Sequence, residues 1–254
     1  MRRGRRKSSS SGGGFFSELW DIGKTVFYAL VIALILRTVL FQPFTIPSAS
    51  MEPNLYEGDY IVVSKWSYGY SRHATPISLP ENMTGRLFGR GPERGDIVVF
   101  KLPTDNRTDY IKRVIGLPGD EVQMIGGLLH INGEPVGVRI VDRSQIETPW
   151  GLQSTAQVLE TMPEGREFLT QDFGPSAQLD NTRAFRVPEG HYFMMGDNRD
   201  NSVDSRDAVG MVPADNLIGK AEIILFSWSP GASLTRPWTW FGNLRPSRFF
   251  TVLQ

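Results

Sequence analysis

The chain has 254 residues and no cysteine, so thiolate nucleophiles, disulfides and cysteine-based metal sites are excluded. A serine hydroxyl remains available as a nucleophile, and it needs a base to take its proton. Three histidines are present, His73, His130 and His191. They form no HExxH motif and no close pair, so neither a zinc site nor a cofactor is expected. His130 falls in a hairpin-like stretch and reads as structural or exposed. His191, beside Gly190 and ahead of an apolar strand, is the least implausible histidine base. The alternative base is a lysine whose charged form is disfavoured by burial. Lys112 suits that task. It sits in YIKRVIG, where strand alternation sets it on the same side as Tyr110 and opposite Ile111 and Arg113. On the strand pattern alone, a solvated edge lysine stays open as the alternative.

The elements that must position such groups are mostly strands. YIVVSKW follows Gly58-Asp59, DIVVFKLP follows Arg94-Gly95, and YIKRVIG ends at a Gly-Leu-Pro-Gly-Asp turn. EVQMIGGLLHINGEPV reads as a hairpin reversing at Asn132-Gly133. HYFMMGD and GKAEIILFSW supply further strands. Residues 139–185 are less periodic and fit a strand-rich excursion or a small second lobe. The expected fold class is mostly β, with coiled or orthogonally packed sheets.

The formal net charge is zero, but MRRGRRK at the start holds five basic side chains and no acidic one. A basic tail can bind nucleic acid. Here SSSSGGG and an apolar run follow it, so nucleic acid is not an expected partner. Val26–Leu36 carries no charge, and extending it over Trp20–Phe41 gives the length of a membrane-crossing helix. Lys24 and Arg37 lie near its ends, where they can snorkel. A buried core helix and a cleavable signal peptide ending at PSAS are the alternatives. The expected organisation is a flexible, basic cytoplasmic tail over residues 1–19, with 1–14 disordered, an anchor over 20–41, and an extracytoplasmic domain over 42–254. Pro43 and Pro47 discourage continuation of the helix.

Four stretches then carry a resemblance. FTIPSASMEPNL spans Phe44–Leu55, GDYIVVSKWSYG spans Gly58–Gly69, RGDIVVFKLP leads on to DYIKRVIGLPGD, and GHYFMMGDNRDNSVDSR spans Gly190–Arg206. Together they resemble bacterial type I signal peptidases, which remove signal peptides from exported proteins. The resemblance runs from the anchor almost to the C-terminus, with residues 139–185 outside its strong part.

The resemblance implies a signal-peptidase-like β domain of coiled antiparallel sheets and a serine endopeptidase with a serine–lysine dyad. It implies Ser50 as nucleophile and Lys112 as general base. Ser48 and the backbone N–H of Ser50 would donate to the oxyanion. Ser202 would orient the lysine amine, with Asp204 and Arg206 as a supporting ion pair and Asp197 holding the loop. Ile46, Pro47, Met51, Leu55, Tyr110 and Ile111 resemble the walls of a substrate pocket that accepts small residues before the cut. The implied partners are signal peptides of exported preproteins and the phospholipid bilayer, with proximity to the secretion translocon. The implied localisation is the bacterial inner membrane, single-pass, with the catalytic domain outside. The aromatic stretch FSWSPGASLTRPWTWFGN either touches lipid or packs into the core. Another serine–lysine peptidase and a noncatalytic membrane-tethered scaffold are the competing functions.

Overall fold

The structure is a computed structural model that describes residues 15–74, 85–148, 151–174, 177–229, 231 and 237–253. The basic segment 1–14, expected to be disordered, lies outside the described residues, as do 230 and 232–236 of the aromatic stretch.

Helix α1 spans Phe15–Ile35, so Phe15–Leu19 of the expected flexible tail are helical. Five π-helical residues, Leu36–Leu40, follow. The strands in chain order are β1 (Phe41–Thr45), β2 (Asp59–Ser64), β3 (Ile97–Lys101), β4 (Asp109–Gly116) and β5 (Glu121–Ile125). Next come β6 (Leu128–Ile131), β7 (Glu134–Pro135), β8 (Gly137–Thr148), β9 (Gly151–Thr161) and β10 (Glu167–Asp172). The last are β11 (Phe185–Arg186), β12 (His191–Met195), β13 (Val212–Pro213), β14 (Leu217–Ser227) and β15 (Thr251–Val252).

The membrane-crossing helix expected over Trp20–Phe41 is a correction. No helix among the described residues is long and apolar enough to cross a membrane. Glu18, Asp21 and Lys24 charge the first part of α1, and Asp21 lies inside the expected span. The uncharged run Thr25–Leu36 covers about 18 Å at 1.5 Å per residue, short of the ~30 Å hydrocarbon core. Phe41 already belongs to β1. The single-pass inner-membrane placement expected from that helix falls with it.

The main sheet has eight strands in the order β1-β2-β14-β3-β4-β12-β13, with β15 also paired to β14. Pairing is antiparallel throughout, and register shifts interrupt β14 and β12. Such bulges bend and twist the sheet. A second sheet, β11-β5-β6-β7, and a third, β10-β9-β8, complete the curled antiparallel β architecture. The stretch read as one hairpin reverses twice. Gly126-Gly127 turns β5 into β6, and Asn132-Gly133 turns β6 into β7, all four at positive φ. One buried cluster joins Ile46, Met51, Leu55, Ile61, Val63 and Val99 beneath the segment that carries Ser50. Another, with Ile115, Phe168, Phe193 and Met195, joins the main sheet to the strands of residues 121–187. In the aromatic stretch Phe226 and Trp228 pack on Tyr60, with the Phe226 ring 4.3 Å from that of Tyr60.

Candidate active site

Ser50 lies on a 3-10 turn, Ala49–Met51, directly after β1. The chain can turn there because its flanks are tied down. Ile46 N–H donates to Asp59 O at 2.9 Å, and Gly58 N–H donates to Ile46 O at 3.0 Å. Met51 and Leu55 drive the turn into the core at 0% exposure. From the other side Asn198 closes on it, its N–H donating to Ser50 O at 3.1 Å and its amide to Ala49 O at 3.2 Å.

Lys112 comes from β4, opposite Val98 of β3, and is 3% exposed. Its Nζ is 2.6 Å from Ser50 Oγ. It also sits 5.7 Å from the centre of the Tyr110 ring, on the side that strand alternation assigns. Burial pushes the amine down from the usual lysine value to about 8; Asp204 and Asp197 pull it partly back up, and Arg206 pushes it down. As an ammonium Lys112 donates to Ser50. As a free amine it can accept the Ser50 proton, which the 2.6 Å contact already bridges. Ser48 Oγ lies 3.3 Å from Ser50 Oγ.

The loop after β12 supplies buried charge in matched pairs. Arg113, next to Lys112 but facing away from it, donates to both carboxylate oxygens of Asp197 at 2.7 and 2.9 Å. Arg206 donates to both oxygens of Asp204 at 2.9 and 2.8 Å. Burial would raise the Asp204 carboxyl, but the Arg206 guanidinium and two backbone N–H groups hold it below the usual range. Among the described residues, buried Ser202 Oγ has no hydrogen-bond partner, so the orienting bond expected to Lys112 is not formed. Gly196 permits the closeness of this loop to the serine turn. A Cβ there would come 2.2 Å from Ser202 Oγ and 2.5 Å from Ser50 O.

A cavity of about 610 Å³ opens over the pair. Pro47, Ser48, Ser50 and Tyr110–Lys112 form one wall; Ala177–Leu179 and Asp200–Val203 form the other. Of the six residues expected as pocket walls, Pro47, Tyr110 and Ile111 line it, while Ile46, Met51 and Leu55 are buried beneath at 0–2% exposure. None of the three histidines lines it. Among the described residues, no three His, Asp or Glu side chains gather as a metal ion would require.

Sequence reasoning missed several residues. The Glu160–Arg199 ion pair ties β9 to the loop carrying Ser202. Gln171 on β10 donates its N–H to Asp197 O at 2.8 Å and accepts from Arg199 N–H at 2.9 Å. Asn54 donates to Asp197 Oδ2 at 2.7 Å. The only local signal was the density of charge in DNRDNSVDSR, which names no partner.

A buried amine bonded to a serine hydroxyl, on a curled antiparallel sheet with an open cleft, is the arrangement of a serine–lysine hydrolase. The chain belongs to the signal peptidase family, peptidase S26, whose model matches residues 19–228. It is 42% identical over 209 residues to "Signal peptidase I" of Rickettsia typhi (strain ATCC VR-144 / Wilmington), covering 79% of this chain and 77% of that protein. It is 43% identical over 209 residues to "Signal peptidase I" of Rickettsia prowazekii (strain Madrid E), with the same shares, 79% and 77%. A crystal structure of a signal peptidase I from Enterococcus faecalis V583 aligns at 28% identity and a TM-score of 0.31, covering 52% of this chain and 97% of the other. The protein is a serine peptidase that cleaves signal peptides. Signal-peptide substrates and membrane association come with the family.

Proposed function

We propose that Ser50 attacks the peptide bond and that neutral Lys112 takes its proton. The observation that carries this assignment is the 2.6 Å contact between Lys112 Nζ and Ser50 Oγ, made by a lysine only 3% exposed. The hydroxyl proton moves to the amine as Oγ bonds the scissile carbonyl carbon. The resulting ammonium returns the proton to the leaving amine as the C–N bond breaks. The free amine then takes a proton from water as its oxygen bonds the acyl carbon, and the ammonium returns that proton to Ser50 Oγ as the C–Oγ bond breaks, so one residue serves each step.

The Ser48 hydroxyl and the Ser50 backbone N–H are the oxyanion donors in this proposal. Losing one good donor of this kind typically costs about 3–4 kcal/mol at the transition state. Ser202, whose hydroxyl is buried in the same cleft without a partner, holds the amine as the Ser50 proton moves. Asp204 with Arg206 and Asp197 with Arg113 fix the loop and the strand around the amine. Pro47, Tyr110 and Ile111 form the walls of a pocket for a small residue before the cut, over the packed floor of Ile46, Met51 and Leu55. The floor residues are at most 2% exposed, so it has little room to yield to a bulky side chain. The substrate pairs its backbone with β4 as an extended strand. The enzyme works close to the secretion translocon, where signal peptides emerge.

The test is incubation of detergent-solubilised protein with a preprotein. Wild type is expected to cleave it, and folded Ser50→Ala is not. Full processing by Ser50→Ala would overturn the assignment.

A further inference from the structure

The segment after residue 228 lies beyond the family match, yet it reaches toward the serine turn. It returns to the main sheet through β15, and Leu253 inserts into the core cluster that contains Met51 and Leu55. Just before β15, Arg248 donates to both oxygens of buried Asp59 at 3.0 and 2.6 Å. Its guanidinium stacks over Tyr56 at 4.5 Å, and the same NH2 group donates to the carbonyl of Asn54 at 2.8 Å. Arg245 donates to Glu57 O and Trp228 O. Three of these contacts grip residues 54–57, a few positions after Ser50.

Asn54 passes the grip inward. Its amide nitrogen has two hydrogens, and both are used. One goes to Leu169 O of β10 at 2.7 Å and the other to Asp197 Oδ2 at 2.7 Å. Its own N–H donates to Met51 O at 3.0 Å, closing the turn that directly follows Ser50. Asp197 in turn holds Arg113, the residue after Lys112. Through its side chain and its backbone together, Asn54 thus couples the chain after Ser50, the loop that holds the strand of the base, and the clamp from the C-terminal segment. A hydrophobic residue at 54 would leave Asp197 and the Leu169 carbonyl short of a donor and cut the side-chain link from the turn to the loop, with the backbone bonds of the turn left in place.

We propose that Asn54, braced by Arg248, is a positioning residue that sets the distance between Ser50 and Lys112. The inference rests on the reading of those two as the reacting pair. A displacement of about 1 Å between reacting groups can cost about 10²-fold in rate, so a link of this kind acts on kcat. Substrate contacts along the cleft are untouched, so KM is expected to stay.

The experiment measures kcat and KM separately, the pH profile and thermal unfolding for Asn54→Ala, Asn54→Asp, Arg248→Ala and Arg248→Lys, with Ser50→Ala alongside. Asn54→Ala is expected to lower kcat by about 10-fold to 10²-fold with KM within about twofold. Arg248→Ala is expected to lower kcat less, and Arg248→Lys, which keeps the positive charge beside Asp59, to recover part of the loss. Asn54→Asp sets a carboxyl against that of Asp197, where the two must share a proton, so its kcat should fall at least as far as that of Asn54→Ala. If Asn54→Ala fails to fold, the two Arg248 variants decide. Wild-type kcat in Asn54→Ala or in Arg248→Ala, a loss confined to KM, or a loss matching only the unfolded fraction would overturn the proposal. An active Ser50→Ala enzyme would instead overturn the pair itself.

Discussion

Lys112 and Lys220 both lie opposite Val98, one on each neighbouring strand. Lys220 meets the carboxylate of Asp96 at 2.8 Å and is 25% exposed along its side chain. Asp96 is further held by Arg166 at 2.9 Å and by the Tyr68 hydroxyl at 2.9 Å. Lys112 is 3% exposed, has no carboxylate within ion-pair distance among the described residues, and bonds a serine hydroxyl. Sheet and cross-strand neighbour are shared. What differs is the partner and the water. A carboxylate partner fixes an ammonium, whereas burial beside a hydroxyl leaves an amine that gives up its proton easily. The nearby carboxylates of Asp197 and Asp204 are each occupied by an arginine, which keeps them from claiming Lys112.

The sharpest way to break this contrast is to exchange the lysines for arginine. Lys112→Arg should lose more than about 10³-fold in kcat/KM, because guanidinium stays protonated. Lys220→Arg should keep nearly full activity, since a cation is all Asp96 needs. Preprotein processing rates check both. Removing one of the occupied carboxylates comes next. Asp204→Asn leaves Arg206 buried without its counter-charge, and loss of a buried partner costs about 3–5 kcal/mol. Chemical denaturation measures that loss. In the fraction still folded, the acid limb of kcat/KM should fall to lower pH, because Asp204 raises the Lys112 value.

The contrast can also be erased by giving Lys112 a carboxylate of its own. Ser202→Asp sets one in the shared cleft, so the amine should hold its proton to higher pH and the acid limb should rise. An unchanged limb in this variant would mean that Ser202 does not face the amine. The smallest effect is expected from Lys220→Ala. That lysine is partly exposed and Asp96 keeps Arg166, so the loss should be about 0–1 kcal/mol, with kcat unchanged.

The motif residues were legible in the sequence because they are local. SASM, YIKRVIG and DNRDNSVDSR each pair a recognisable order with one strand or turn, and alternation along β4 put Tyr110 and Lys112 on one side. Their depth was less legible. Periodicity could not tell Lys112 from Lys220, since both stand in apolar strands. The links that fix the site join residues far apart in the chain, such as Arg113 with Asp197 and Asn54 with Asp197. Nothing local announces those pairings, and Arg113 looked merely turned away. The N-terminal helix was misjudged for a different reason. Val26–Leu36 is apolar enough to dominate a hydropathy reading, while Asp21 and Glu18, one and two turns earlier, set its limit. The second reversal at Gly126-Gly127 was hidden because one strong Asn-Gly signal seemed to account for the whole hairpin.

The most direct measurement of the central contrast is the pH dependence of kcat/KM for the wild-type enzyme, with His73→Ala, His130→Ala and His191→Ala beside it. With Lys112 as the proposed base, acting only as a free amine, the rate should fall as pH drops through about 8, the value to which burial lowers it. The three histidine variants should follow the same curve. A limb near the histidine value of about 6.5, abolished in one folded histidine variant, would contradict a lysine base and return the proton to an imidazole.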